Sequence, residues 1–214
     1  MVHKGFASKL TFELTDEEGT YLVKLARETI VEYLKTCKKK RPLRIIDKLK
    51  TKCGVFTTLS KIENDATVLR GCIGYPETTL PLYENIIDSS INAATADPRF
   101  PPVTLDEMNN IIVEVSILTP LQLIKVKNPK EYPKEVRIGI DGLVIECGWN
   151  RGLLLPQVPI EWEWNNEEFL SNCCLKAGTT PDQWLLPNVK IYRFQAIIFK
   201  EERPNERVKR ISLI

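Results

Sequence analysis

Histidine is nearly missing from this chain: His3 is the only one in 214 residues. A Ser-His-Asp triad, a Cys-His dyad and a multi-histidine metal site all need an imidazole inside the fold, and His3 sits at a terminus, where chains fray. Neither a C-x-x-C pair nor a zinc-ribbon spacing occurs among Cys37, Cys53, Cys72, Cys147, Cys173 and Cys174, so no metal or cofactor is expected. Most of these thiols read as small buried hydrophobes. Long apolar runs are absent too, and nothing approaches the roughly 18 residues of a membrane span. The opening MVHKGFASKLTFELTDEE has no apolar core of a signal peptide, which makes a cytoplasmic protein without a membrane partner the expectation. Charge of one sign is not in excess, because 30 basic residues face 28 acidic ones for a net +2. A dedicated nucleic-acid binder would carry more. Chemistry is thereby left to carboxylates, arginines, lysines or a thiol.

What is present describes a globular chain, 43% hydrophobic and 27% charged, of a length for one large domain or two small lobes. Thr15 followed by Glu18 forms a capping box for a long helix carrying Leu22, Leu25, Ala26, Ile30, Tyr33 and Leu34 at helical spacing. The run Lys38 to Arg41 suits the end of that helix, and Pro42 stops it. Gly54 to Ser60 reads as a strand that turns through Asn64 and Asp65 into a second, forming an antiparallel hairpin. A helix through Leu82, Ile86, Ile87 and Ile91 ends at Asp97-Pro98, and Thr104 with Glu107 caps a short one. Ile111 to Leu118 alternates as a strand, with Ile111, Val113, Val115 and Ile117 on one face and Glu114 on the other. Strands Val136 to Ile140 and Leu143 to Cys147 are expected to join through a type I′ turn at Asp141-Gly142. Gly152 to Pro159 reads as a short edge strand. A helix capped by Asn166 follows, then one long final strand from Val189 to Lys200 and a terminal stretch that packs or stays loose. Hairpins mixed with helices and no βαβ rhythm predict an α+β fold.

The stretch Val68 to Tyr75, VLRGCIGY, is the leading candidate for a site. Simple alternation sets Arg70, Cys72 and Gly74 on one face, which places a guanidinium beside a thiol. Gly71 and Gly74 leave room for a close approach to the backbone.

LRGCIG at 69–74 resembles the hallmark motif of the AMMECR family, and GVFTTL at 54–59 before it and DPRFPPVT, EVSILTP and GLLLPQV after it look like family blocks in family order. The resemblance implies an AMMECR domain over residues 8–205, with terminal extensions at 1–7 and 206–214. It also implies two unequal lobes, each with an antiparallel sheet and helices, the larger built from both chain ends and the smaller inserted. The LRGCIG strand would then face a cleft between the lobes. Some members look functionally tied to Memo-like and radical-SAM proteins, which suggests a modification pathway. Where this chain has Asp141, some members have histidine.

Two functions follow. In the first, the cleft binds a peptide, protein or large metabolite, read by Arg70, Arg99, Glu114 and Gln157, with Gly71, Gly74 and Asp141 in the ligand-binding set. In the second, Cys72 is a nucleophile, Glu114 its acid or base, and Arg70 or Arg99 the anchor of an anionic group. Binding is preferred, because no complete set of nucleophile, base and orienting group can be assembled.

Overall fold

The computed structural model describes residues 12–212, except residues 41, 43, 44, 65, 77 and 78. Helix α1 (Asp16–Thr36) opens as its sequence dictates. The Thr15 N–H donates to Glu18 Oε2 at 2.7 Å and the Glu18 N–H to Thr15 Oγ1 at 3.1 Å. It closes at Cys37, whose φ of 55° is left-handed, with the Cys37 N–H bonded to the Tyr33 carbonyl. Arg41, expected in the basic helix end, lies outside the described residues.

Strands β1 (Gly54–Glu63) and β2 (Ala66–Tyr75) form the expected hairpin. After helix α2 (Leu82–Thr95) comes a 3-10 turn at Asp106–Asn110, and then β3 (Ile111–Leu118). The chain next makes β4 (Gln122–Leu123), the single turn α3 (Tyr132–Glu135), β5 (Gly142–Cys147), β6 (Asn150–Leu154) and the single turn α4 (Val158–Glu161). Helix α5 (Asn166–Lys176), β7 (Lys190–Phe194), β8 (Ala196–Glu201) and β9 (Val208–Ile211) complete it. Two antiparallel sheets result, in the orders β2-β1-β3-β8-β9 and β4-β7-β5-β6. This is an α+β architecture.

Helices α1 and α2 cover one face of the five-stranded sheet. Leu22, Ile30, Ile86 and Ile91 pack there against Val55, Leu59, Val113, Val115, Ile117 and Phe199 in one buried cluster. Each such side chain removed from water is worth roughly 1.5–3 kcal/mol. Beneath α1, Arg27 and Glu201 make a buried ion pair at 2.5 Å. The remaining donors of Arg27 reach the Met108 and Ile111 carbonyls, and the Val113 N–H donates to Glu201 Oε2. Both oxygens of the buried carboxylate are thereby hydrogen-bonded, which is the condition for burying it without a large penalty.

The four-stranded sheet has its own core, where Leu143, Ile145 and Ile191 meet Phe169, Leu170 and Cys173 of α5. A third, smaller cluster draws on both sheets, with Leu118 and Phe56 from one and Val144, Leu153, Tyr192 and Phe194 from the other.

Four expectations need correction. The final strand is not continuous, because it breaks at Gln195 and gives β7 to one sheet and β8 to the other. Gln195 is held at the crossing by Thr119, whose Oγ1 accepts from the Gln195 N–H and whose own N–H donates to the Gln195 carbonyl, both at 2.8 Å. Residues 136–140 form no strand. The carboxylate of Asp141 accepts the Arg137 N–H and two guanidinium bonds, folding 137–141 into a turn with Gly139 at φ 78°, and Gly142 only then starts β5. Asn165, not Asn166, caps α5, accepting from the Glu167 and Glu168 N–H groups. Finally, the strand expected over Gly152–Pro159 ends at Leu154, beyond which α4 turns the chain. At the end of the larger sheet, residues 208–211 form strand β9 beside β8. No helix among the described residues is long and apolar enough to cross a membrane.

Candidate functional site

The register of the larger sheet aligns five residues in one row. Cys72 pairs with Thr58, Thr58 with Glu114, Glu114 with Lys200 and Lys200 with Lys209. Residues directly opposite one another share a face. Thr57, one residue from Thr58, hydrogen-bonds Ser89 of α2 at 2.7 Å, so this row lies on the face away from the helices. The Thr58 hydroxyl donates to Cys72 Sγ at 3.3 Å, and Lys200 Nζ lies 3.6 Å from Glu114 Oε2. Burial pushes the Glu114 carboxyl above its ordinary range, against the opposing pull of Lys200. All four of these side chains are half-buried. Alternation along β1 and β8 could have signalled Thr58 and Lys200, but only the strand pairing brings them to Cys72 and Glu114.

Arg70 does not share the face of Cys72. A β-bulge leaves it unpaired between Leu69, opposite Ser60, and Gly71, opposite Leu59. The extra residue resets the alternation. Arg70 instead turns to Glu107, in a two-pronged pair of 3.0 and 3.1 Å, and donates to the carbonyls of Pro101 and Pro102. The same carboxylate lies 3.9 Å from Lys61, a residue of the helix-facing side. Arg70 is buried and its three nitrogens are all engaged. In return it holds Glu107 down at about 2, with burial opposing and the Thr104 N–H assisting.

The loop pinned by Arg70 delivers a second clasp to the outer edge of β2. Asp97 Oδ2 accepts the Cys72 N–H at 2.8 Å, and Arg99 Nη2 reaches the Cys72 carbonyl at 3.4 Å. The two side chains are locked to each other, with Arg99 Nε on Asp97 Oδ1 at 3.0 Å and Nη2 on Oδ2 at 2.7 Å. Hydrogen bonds from Arg99, against burial and with help from the Cys72 N–H, hold the Asp97 carboxyl well below the usual carboxylate range. Arg99 stays half-exposed, its guanidinium 5.4 Å from the Phe100 ring centroid.

The glycines of the motif are packing requirements. A Cβ on Gly71 would lie 2.1 Å from the Ala93 carbonyl oxygen, and one on Gly74 would lie 2.2 Å from the Phe56 ring. Asp141 lies elsewhere, fully buried at the start of β5 and bound to Arg137. Gln157 follows Leu155, which packs in the cluster shared by both sheets, and its Oε1 is buried without a hydrogen-bond partner among the described residues. Of the residues singled out in the sequence, the structure places Cys72 and Glu114 in one row on either side of Thr58, with Arg99 at the outer edge beside Cys72. Arg70 is set behind them as a clamp and Asp141 apart. Of the six cysteines, Cys53, Cys173 and Cys174 are buried and Cys37 is exposed. No group of histidine, cysteine and acidic residues that could hold a metal occurs among the described residues.

These features define an α+β protein of two antiparallel sheets, the larger crossed by a polar row. The AMMECR1 family profile matches residues 23–199, and the chain belongs to that family. Protein MJ0810 of Methanocaldococcus jannaschii is 54% identical over 196 residues, spanning 91% of this chain and 96% of that one. Protein PYRAB00100 of Pyrococcus abyssi is 52% identical over 204 residues, spanning 94% and 99%. The crystal structure of uncharacterized protein PH0010 from Pyrococcus horikoshii superposes with a TM-score of 0.81 at 49% identity, covering 93% of this chain and 98% of that one.

Proposed function

We propose that the row Cys72–Thr58–Glu114–Lys200 lines a binding cleft between the two sheets, and that the cleft takes a peptide, a protein segment or a metabolite of similar length. The observation that carries this reading is the register itself, which sets four polar, half-buried side chains side by side across four strands. Three strand spacings of about 4.8 Å give a ligand about 14 Å to span. Arg99, half-exposed at the Cys72 end, supplies a cation for an acidic group. The orphaned Gln157 Oε1, two residues beyond Leu155 of the cluster shared by the sheets, supplies an acceptor. The family resemblance extends the proposal to a role beside Memo-like and radical-SAM proteins in a modification pathway.

A thiol-dependent enzyme is the second reading, favoured by the Thr58 hydroxyl on Cys72 Sγ and by the upward shift of Glu114. Two strand spacings, about 10 Å, separate Cys72 from Glu114, too far for direct proton transfer. Binding is therefore the better fit.

Differential alkylation tests both readings. Iodoacetamide labelling of Cys72 is followed by mass spectrometry, with exposed Cys37 as the internal reference. A mixture of short peptides and metabolite carboxylates should protect Cys72 and not Cys37, and Glu114→Gln or Lys200→Met should abolish the protection. If no member of a broad mixture protects Cys72, the binding proposal fails. Labelling of Cys72 well ahead of Cys37 in the free protein would favour the enzyme.

A further inference from the structure

Among the described residues the two sheets present four edges, and three of them are protected by shortness or by exposed charge. Strand β4 is two residues long, β6 carries Arg151, and β9 carries Lys209 and Arg210. Strand β2 differs. It is ten residues long, ATVLRGCIGY, and its one charge, Arg70, is turned inward onto Glu107. Val68 and Leu69 are 40% and 43% exposed, so the strand is also apolar where it is open. A long, uncharged, apolar edge is a template for a further strand.

What stands at that edge is the Asp97–Arg99 clasp. In an antiparallel ladder a neighbouring strand offers one acceptor to an outward N–H and one donor to the outward carbonyl of the same residue. Asp97 Oδ2 and Arg99 Nη2 supply that acceptor and donor at Cys72. The bulge at Arg70 breaks the edge immediately above, and bulges are themselves a means of ending pairing. The clasp and the bulge together interrupt the edge between Leu69 and Cys72, beside the exposed Val68 and Leu69.

We propose that the Asp97–Arg99 pair is an edge cap, occupying the backbone positions a sixth strand would use at Cys72 and so keeping β2 from pairing with a second copy of the chain. A second copy is the fitting occupant of the uncapped edge, because two β2 strands meeting antiparallel bring no exposed like charges together. The cap also fixes the peptide plane that carries Cys72.

The test compares the mass in solution of the wild type, the Asp97→Ala/Arg99→Ala double variant and the double variant carrying Leu69→Lys, by light scattering over a wide concentration range. The double variant should rise toward twice the wild-type mass with concentration, and Leu69→Lys should return it to the wild-type value. A folded double variant with the wild-type mass at every concentration overturns the proposal, as does association that Leu69→Lys leaves intact. Should circular dichroism show the double variant unfolded, Arg99→Ala decides. It removes only the half-exposed arm, should associate detectably at the highest concentrations, and overturns the proposal if its mass does not change.

Discussion

Replacing Arg70 with alanine would test the clamp from which the candidate site hangs. The change leaves the Glu107 carboxylate without its two-pronged partner and the Pro101 and Pro102 carbonyls without a donor. Breaking a buried pair from one side costs roughly 3–5 kcal/mol. The side chains of Arg70 and Glu107 are 10% and 22% exposed, which places the loss at the lower end, about 3 kcal/mol. With a slope of about 4 kcal/mol per molar in guanidinium chloride, the unfolding midpoint should fall by about 0.7 M. A pH series gives an independent signature. Glu107 sits at about 2 in the folded chain against an ordinary value of 4.5. Its stabilisation is complete above 4.5 and lost as the pH falls through about 2, so wild-type stability drops across that window. In Arg70→Ala the drop should shrink, and the difference between the two proteins should narrow toward the acid end. A midpoint unmoved at neutral pH, or a gap that stays constant down to pH 2, would refute the reasoning.

Two further substitutions probe the strand and the row. Gly71→Ala puts a methyl 2.1 Å from the Ala93 carbonyl oxygen, and lifting α2 off the sheet should cost about 1–3 kcal/mol in thermal or denaturant unfolding. A neutral or stabilising result would mean that the helix does not press on the strand. Glu114→Gln should become more stable relative to wild type as the pH rises above 4.5 and gain nothing below it, because burial disfavours the ionised carboxylate there. Unfolding temperatures measured against pH check the sign, and a relative gain confined to acid pH would contradict it.

Elements marked by local signals were legible from the residues alone. The Thr15–Glu18 capping box, the stripe from Leu22 to Ile30 and the alternation of Ile111 to Ile117 all fold as their periodicity dictates, because the cap bonds lie within the helix and each buried face is written in the spacing of its own apolar residues. Failures fall where distant residues decide. The bulge at Arg70 has no compositional mark, and the carboxylate that its guanidinium meets lies 37 residues away. Nothing in Val189 to Lys200 marks Gln195 as a crossing, since its partner is Thr119. Asp141-Gly142 carried the strongest turn signal in that region, yet Arg137 captured the carboxylate first. For the site, Cys72 and Glu114 were visible as polar residues in apolar strands. Thr58, Lys200 and the edge clasp needed the pairing.

The crossing at Gln195 has a mechanical consequence. The chain passes between the sheets twice, after β3 and between β7 and β8, and both passages run through the bonded pair Thr119 and Gln195. A rotation of one sheet against the other must therefore pivot on that pair, moving the far rims most and the backbone near the pivot least. Covalent connection and hydrogen bonding there form a hinge pin, and the apolar cluster of Phe56, Leu118 and Phe194 is the bearing surface beside it.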